Sequence, residues 1–175
     1  MDISSTNFYR QSKYCSTLCI AAILIGCSSS SNIRTDNYGG SIENRSRFGL
    51  RVVDAIASRV GPKHTAIRIS PWSEFQGMRM EDPIPTFSYF VRQLKERQPE
   101  LAYLHAIEGT EPTDSLDFIR DIWSSDGKGI LLSAGGHSRE SALRTAEKGD
   151  IAVFGRWFIS NVSPLNPSST GNLMY

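Results

Sequence analysis

From Asn32 onward the chain alternates short apolar runs with amphipathic stretches. The repeat is about 25–35 residues long, which is what a strand, a helix and their two connections occupy in a βαβ crossover. The first stretch reads as a helix opened by Ser41 as N-cap, with Glu43 in its first turn and Gly61-Pro62 as its stop. Phe48, Val52, Ile56 and Val60 recur along it and are expected to form its buried stripe. A strand follows at Ala66–Ser70, then a long loop from Pro71 to Glu81. Asp82-Pro83 starts a second helix with Phe87, Phe90, Val91 and Leu94 on one face. A strand at Leu101–Ile107 leads to a helix at Ser115–Trp123, with Leu116, Ile119, Ile122 and Trp123 turned inward. After the Asp126-Gly127 turn comes a strand at Gly129–Ala134. Ser138 then caps a helix packing through Ala142, Leu143 and Ala146 and stopped by Gly149. The last strand is Asp150–Phe154, and a short helix is expected after Arg156, broken by Pro164 and Pro167.

This order predicts an α/β fold with a parallel sheet, its strands apolar enough to be buried on both faces. Periodicity alone leaves a barrel fragment and an open doubly wound sheet both standing. The first strand lacks a following G-x-G-x-x-G, which counts against a dinucleotide-binding open sheet.

The bulk numbers narrow the setting. A chain of 175 residues with 39% hydrophobic and 21% charged residues suits one folded domain. A net charge of +1 gives no field to draw nucleic acid or an anionic membrane, so neither is an expected partner. The cysteines, Cys15, Cys19 and Cys27, are odd in number and all near the N-terminus, which fits neither a disulfide framework nor a metal centre. Residues 1–31 differ from the rest: polar, then an apolar run from Leu18 to Ile25, then Gly26-Cys27 and a serine run. The run is short for a membrane span, and Leu24-Ile25-Gly26-Cys27 has the look of a lipoprotein leader. A replaced strand or a leader without a role is the reading preferred here, with a reduced, cytoplasmic setting. The chain thus divides into an atypical segment 1–31, a domain 32–161 and an irregular tail 162–175.

Arg68 stands out for chemistry, because it lies mid-strand between Ile67 and Ile69. A charge there needs either a buried partner or a ligand. Gly135-Gly136 and Gly155-Arg156 each follow one of two consecutive strands. Glycines allow a backbone N–H nest, the helix begun by Ser138 favours an anion, and Arg156 offers a phosphate-matching fork. In barrels the loops after the last two strands often take phosphate. Trp72 and Phe75, in the loop after the first strand, are either lids over a planar ligand or ordinary packing. His64 reads as solvated, His105 as facing core or pocket, and Glu108 as standing at a strand's C-terminal end. Arg45 and Arg47 read as structural, bonding the Asp36–Gly40 turn or carboxylates.

Together the motifs carry a resemblance. Asn32 to Phe48, Ile67-Arg68-Ile69-Ser70-Pro71, Phe75-Gln76-Gly77-Met78, Tyr103-Leu104-His105, Ser133-Ala134-Gly135-Gly136 and Phe154-Gly155-Arg156-Trp157 resemble, in order and spacing, the Old Yellow Enzyme family of flavin oxidoreductases. Gln76 to Pro83 gives it the flavour of the fungal members. The resemblance runs from about Ser31 to Asn161. It implies a (β/α)₈ barrel holding FMN, with NADPH as hydride donor and an enone or enal as substrate. It places Arg68 against the flavin pyrimidine, Gly135, Gly136, Gly155 and Arg156 at the phosphate, and Phe75 on the substrate side. Some fungal members serve ergot alkaloid pathways and act on chanoclavine-I aldehyde.

The resemblance also marks what is not here. The strands correspond to the last four of the barrel, strands 5–8, so an incomplete barrel is expected. The family's His and Asn, which bind the substrate's oxygen, and its proton-donating Tyr belong before Asn32, where Leu18–Ser31 carries none of those residue types. The expectation is therefore an inactive or vestigial member, able to self-associate through the exposed half-barrel face. Two alternatives stand beside it: an active reductase completed by a partner or an upstream exon, and a non-catalytic flavin- or phosphate-binding protein.

Overall fold

The structure is a computed structural model that describes residues 16–18, 26–111 and 113–155. Its sheet has five parallel strands in sequence order: β1 (Ser16–Leu18), β2 (Thr65–Ile69), β3 (Tyr103–Ile107), β4 (Leu131–Ala134) and β5 (Ile151–Val153). Helices α1 (Ile42–Val60), α2 (Ile84–Arg97), α3 (Asp117–Trp123) and α4 (Arg139–Glu147) complete the described secondary structure, with 3₁₀ turns at Pro62–His64 and Phe75–Gly77. Strand order equal to chain order, with every pair parallel, is what successive right-handed crossovers lay down in a barrel wall. The sequence reading contains four of these strands. The fifth, β1, comes from the N-terminal segment and pairs Ser16 with Thr65 and Leu18 with Ile67.

The elements form where their boundary residues dictate. Ser41 Oγ accepts the Asn44 N–H at 3.3 Å and opens α1, and the Gly61 N–H closes it on the Ala57 carbonyl at 2.9 Å. Ser138 likewise caps α4 through the Ser141 N–H at 3.2 Å. On α1, however, the buried positions are Arg45, Ser46, Gly49, Leu50, Val53 and Ala57, while Phe48 and Val60 are exposed. The stripe follows a 3.6-residue turn, which a strict spacing of four leaves behind as the helix proceeds. α2 buries Phe87, Phe90, Val91 and Leu94, as its pattern predicts. On α3, Ile119 and Trp123 are buried and Ile122 packs partly against them. α4 departs from expectation: Leu143 and Ala146 are exposed, Ala142 is half-buried, and only Thr145 is buried.

One face of the sheet carries the core. Ile67, Ile69, Leu104, Ala106 and Leu131 point toward the helices and are fully buried there with Phe90 and Trp123. The opposite face is only partly covered. β3 alternates half-buried and buried along its length, and so does β4 in opposite phase. The expectation of burial on both faces therefore fails: β3 and β4 alternate instead of running continuously buried, because the described helices cover one side. Residues 26–31 join the same body. Cys27 and Ser28 are buried, and Ser28 Oγ donates to the Met78 carbonyl at 2.8 Å. Burial pushes the Cys27 thiol up to about 12, so it packs as an inert apolar group.

Candidate functional site

β2 places Arg68 on the half-covered face. The register sets it beside His105 of β3, then Leu132 of β4, then Ile151 of β5. Exposure rises along that row: Arg68, His105 and Leu132 are half-buried and Ile151 is exposed. The competing explanation for a mid-strand arginine, a buried ion pair, is not met. Among the described residues no carboxylate lies in salt-bridge range of Arg68, and no acceptor takes a hydrogen bond from it. His105 is its charged neighbour's complement. Burial first, and the nearby Arg68 charge second, hold its imidazole neutral by pulling its pKa down to about 4. Its Nε2 is buried with no hydrogen-bond partner.

The loop after β4 forms the second feature. Gly135 and Gly136 both have positive φ, 150° and 78°. A Cβ at Gly135 would stand 2.9 Å from the Glu108 Cβ, so glycine is required by space as well as by backbone conformation. Nothing fills the space a Cβ at Gly136 would take. Directly beyond, His137 is buried and ties the loop down: its Nε2 lies 3.0 Å from the Ser133 carbonyl and 3.2 Å from Ser133 Oγ, and its Nδ1 lies 3.3 Å from Ser141 Oγ. Ser133 Oγ donates to Glu108 Oε1 at 2.9 Å. One polar chain thus links the ends of β3 and β4 to the first turn of α4. Sequence reasoning passes over His137; its position right after a Gly-Gly pair is the signal that could have drawn attention to it.

The remaining candidates separate. Trp72 is a packing residue: its ring meets Phe118 edge-on at 6.2 Å and carries the Arg79 guanidinium at 5.8 Å. Phe75 is instead 69% exposed beside Gln76, a non-glycine residue at φ 55°. Its ring is free of the core, as a residue reserved for another contact would be. Arg79 also forms a two-pronged pair with Asp114, both contacts at 3.0 Å, and holds that carboxyl below its ordinary range. Arg45 and Arg47 are structural, donating to backbone carbonyls of Cys27 and Gly40 and of Asn37 respectively. His64 is exposed. Gly155 is exposed at the end of β5, and Arg156 lies outside the described residues. A cleft of about 290 Å³ between Glu108–Ser115 and α4 is lined by both charge signs, including Glu111 and Arg144, and does not include Arg68 or His105.

No described group of His, Cys, Asp or Glu is arranged to hold a metal ion, and no described helix is long and apolar enough to cross a membrane. What the described residues do offer is an unpaired cation on one strand and a positive-φ Gly135-Gly136 turn two strands away. Two strand spacings amount to about 10 Å. That pairing suits a long planar ligand carrying an electron-rich edge and an anionic tail, and a flavin mononucleotide has both.

The comparisons agree with that class. A profile of the NADH:flavin oxidoreductase / NADH oxidase family matches residues 27–166, and the chain belongs to that family. Morphinone reductase in complex with tetrahydroNAD superposes with a TM-score of 0.71 at 35% identity, over 82% of this chain and 39% of that one. The Old Yellow Enzyme from Pichia sp. AKU4542 superposes with a TM-score of 0.68 at 33% identity, over 79% and 37%. The described fold is therefore an arc of a (β/α)₈ barrel. Among curated relatives, chanoclavine-I aldehyde reductase fgaOx3 of Penicillium roqueforti is 42% identical over 74% of this chain and 37% of its own length. A protein of Claviceps purpurea named "Probable inactive dehydrogenase easA" is 38% identical over 76% and 39%. The chain spans about two-fifths of the length of these relatives.

Proposed function

We propose that this chain holds one side of an FMN site, meeting the flavin pyrimidine with Arg68 and the phosphate with Gly135, Gly136, Gly155 and Arg156, and that the 175-residue polypeptide does not by itself reduce an enone. The observation that carries the reading is Arg68, a mid-strand guanidinium on a half-covered face with no partner among the described residues. Such a cation is costly unless a ligand answers it. The fixed positive charge stabilises negative charge on a ring without having to reorganise. Gly135 and Gly136 let backbone N–H groups approach an anion closely, and the capped start of α4 adds the favourable end of a helix dipole. Phe75, exposed over the loop after β2, is assigned to the substrate side.

When bound, FMN supplies the hydride transfer between a nicotinamide nucleotide, here NADPH, and an activated alkene. Catalysis of that transfer also needs groups that polarise the alkene's carbonyl and deliver a proton. The described residues of the Arg68 face supply a cation, a neutral imidazole and the Tyr103 phenol, whereas the His, Asn and Tyr that the family resemblance assigns to these tasks belong before Asn32. The relative named as an inactive dehydrogenase supports this reading, and the chanoclavine-I aldehyde reductase points to a fungal alkaloid pathway as its background. Equilibrium titration of the purified chain with FMN, followed by flavin fluorescence, tests it. Saturable binding that Arg68→Ala weakens is expected; an absence of binding, or binding indifferent to Arg68, contradicts the proposal.

A further inference from the structure

The other shielded arginines among the described residues end on oxygen. Arg45 reaches the Cys27 and Gly40 carbonyls and Thr86 Oγ1, Arg79 pairs with Asp114, and Arg120 pairs with Asp117 and Asp150. Arg68 meets none. The group its strand register presents to it is His105, whose Nε2 is buried and unpartnered. Two polar groups with unmet hydrogen-bonding capacity therefore stand side by side on adjacent strands. A buried ring nitrogen left without a partner is costly, so the pair calls for an explanation.

The charges say what kind of neighbour Arg68 has been given. A carboxylate in this place would hold the guanidinium well, but its own charge would cancel most of the field a ligand feels. An imidazolium would repel it. A neutral imidazole with its proton on Nδ1 offers Nε2 as an acceptor and leaves the cation's charge intact. Buried Nε2 is also out of a ligand's reach, whereas the flexible arginine beside it is not.

We propose that His105 is the positioning residue for Arg68, its neutral imidazole accepting a guanidinium N–H through Nε2 when a flavin ring meets the cation, so that the arginine is held without losing its charge. This rests on the flavin site proposed above. It makes His105 a determinant of how well the site tolerates an electron-rich ring, with no contact of its own to that ring.

The test uses the full chain. In nitrogen-15 spectra of the histidine-labelled protein with FMN at neutral pH, the His105 ring should show an unprotonated Nε2; an imidazolium or an Nε2–H tautomer in the complex overturns the proposal. This measurement needs no variant. FMN affinity then gives a second, independent reading. His105→Phe fills the space without an acceptor and should weaken FMN roughly tenfold, the weight of one hydrogen bond to a charged group. His105→Gln restores a neutral acceptor and should recover most of the loss. His105→Glu should bind FMN more weakly than His105→Gln, because it neutralises Arg68. Inorganic phosphate, which does not report on the ring side, should bind all three alike. Phenylalanine equal to the unsubstituted chain, or glutamine no better than phenylalanine, overturns the proposal as well. If FMN binds and depends on Arg68 but not on His105, this inference alone fails; if Arg68→Ala changes nothing, the flavin site fails with it.

Discussion

Arg68 and His105 set the expectations at the scale of single residues. Arg68→Ala should weaken FMN by roughly 10- to 100-fold, the range for losing a hydrogen bond to a charged group, as read from fluorescence titration. The pH behaviour of His105 has a definite sign. Its folded pKa, about 4, lies below the ordinary 6.5, so between those values the unfolded chain binds the proton and the folded chain does not. The folded state is therefore favoured fully above pH 6.5 and loses that contribution as the pH falls toward 4. Denaturant unfolding at a series of pH values should show this slope, and His105→Phe should flatten it. At Gly136, alanine meets no neighbour but must hold φ at 78°, so it should cost about 1 kcal/mol through backbone strain. At Gly135 the same change also drives a Cβ to 2.9 Å from Glu108 and should cost more.

Elements were legible in the sequence wherever the pattern was local. Ser41 and Ser138 stood as N-caps because a hydroxyl before an amphipathic run answers a free N–H, and both do so here. The face of α2 was legible because Phe87, Phe90, Val91 and Leu94 keep helical spacing. α1 was misjudged: Phe48 and Val60 have the look of core residues, but the rotation of the helix against the sheet is a tertiary choice that buries Leu50 and Val53 instead. Leu50→Ala should thus cost about 2–5 kcal/mol and Phe48→Ala well under that, a contrast that chemical denaturation would resolve. Between elements, Asp150 is buried and held by Arg120 of α3, with Nε at 2.9 Å. Asp150→Ala should destabilise by about 1–3 kcal/mol, because the half-buried guanidinium loses its inter-element partner but keeps Asp117.

At the scale of the molecule, the described residues form an arc of parallel strands with their helices on one side and a half-covered face on the other. The glycines and Arg68 were legible as candidates because each stands out locally: a Gly-Gly pair or a Gly-Arg pair right after a strand, or a charge in an apolar strand. The orphaned Nε2 of His105 and the Glu108–Ser133–His137 chain were not, since both arise from register between strands about 25–40 residues apart. Burial on both faces was misread for a related reason: apolar strands do not say how much of a second layer accompanies them. The exposed Ile151 on β5 and the half-covered row beside it give this surface an apolar area to hide. Self-association of the polypeptide through that face is proposed accordingly, and sedimentation at increasing concentration should show mass rising above the 19.4 kDa monomer.

The most direct measurement is anaerobic: the purified chain is loaded with FMN, given NADPH and a conjugated enal, and followed by flavin absorbance and enal loss together. Bound flavin with no catalytic consumption of the enal is the expected result. Repeated turnovers by a preparation free of other reductases would contradict it.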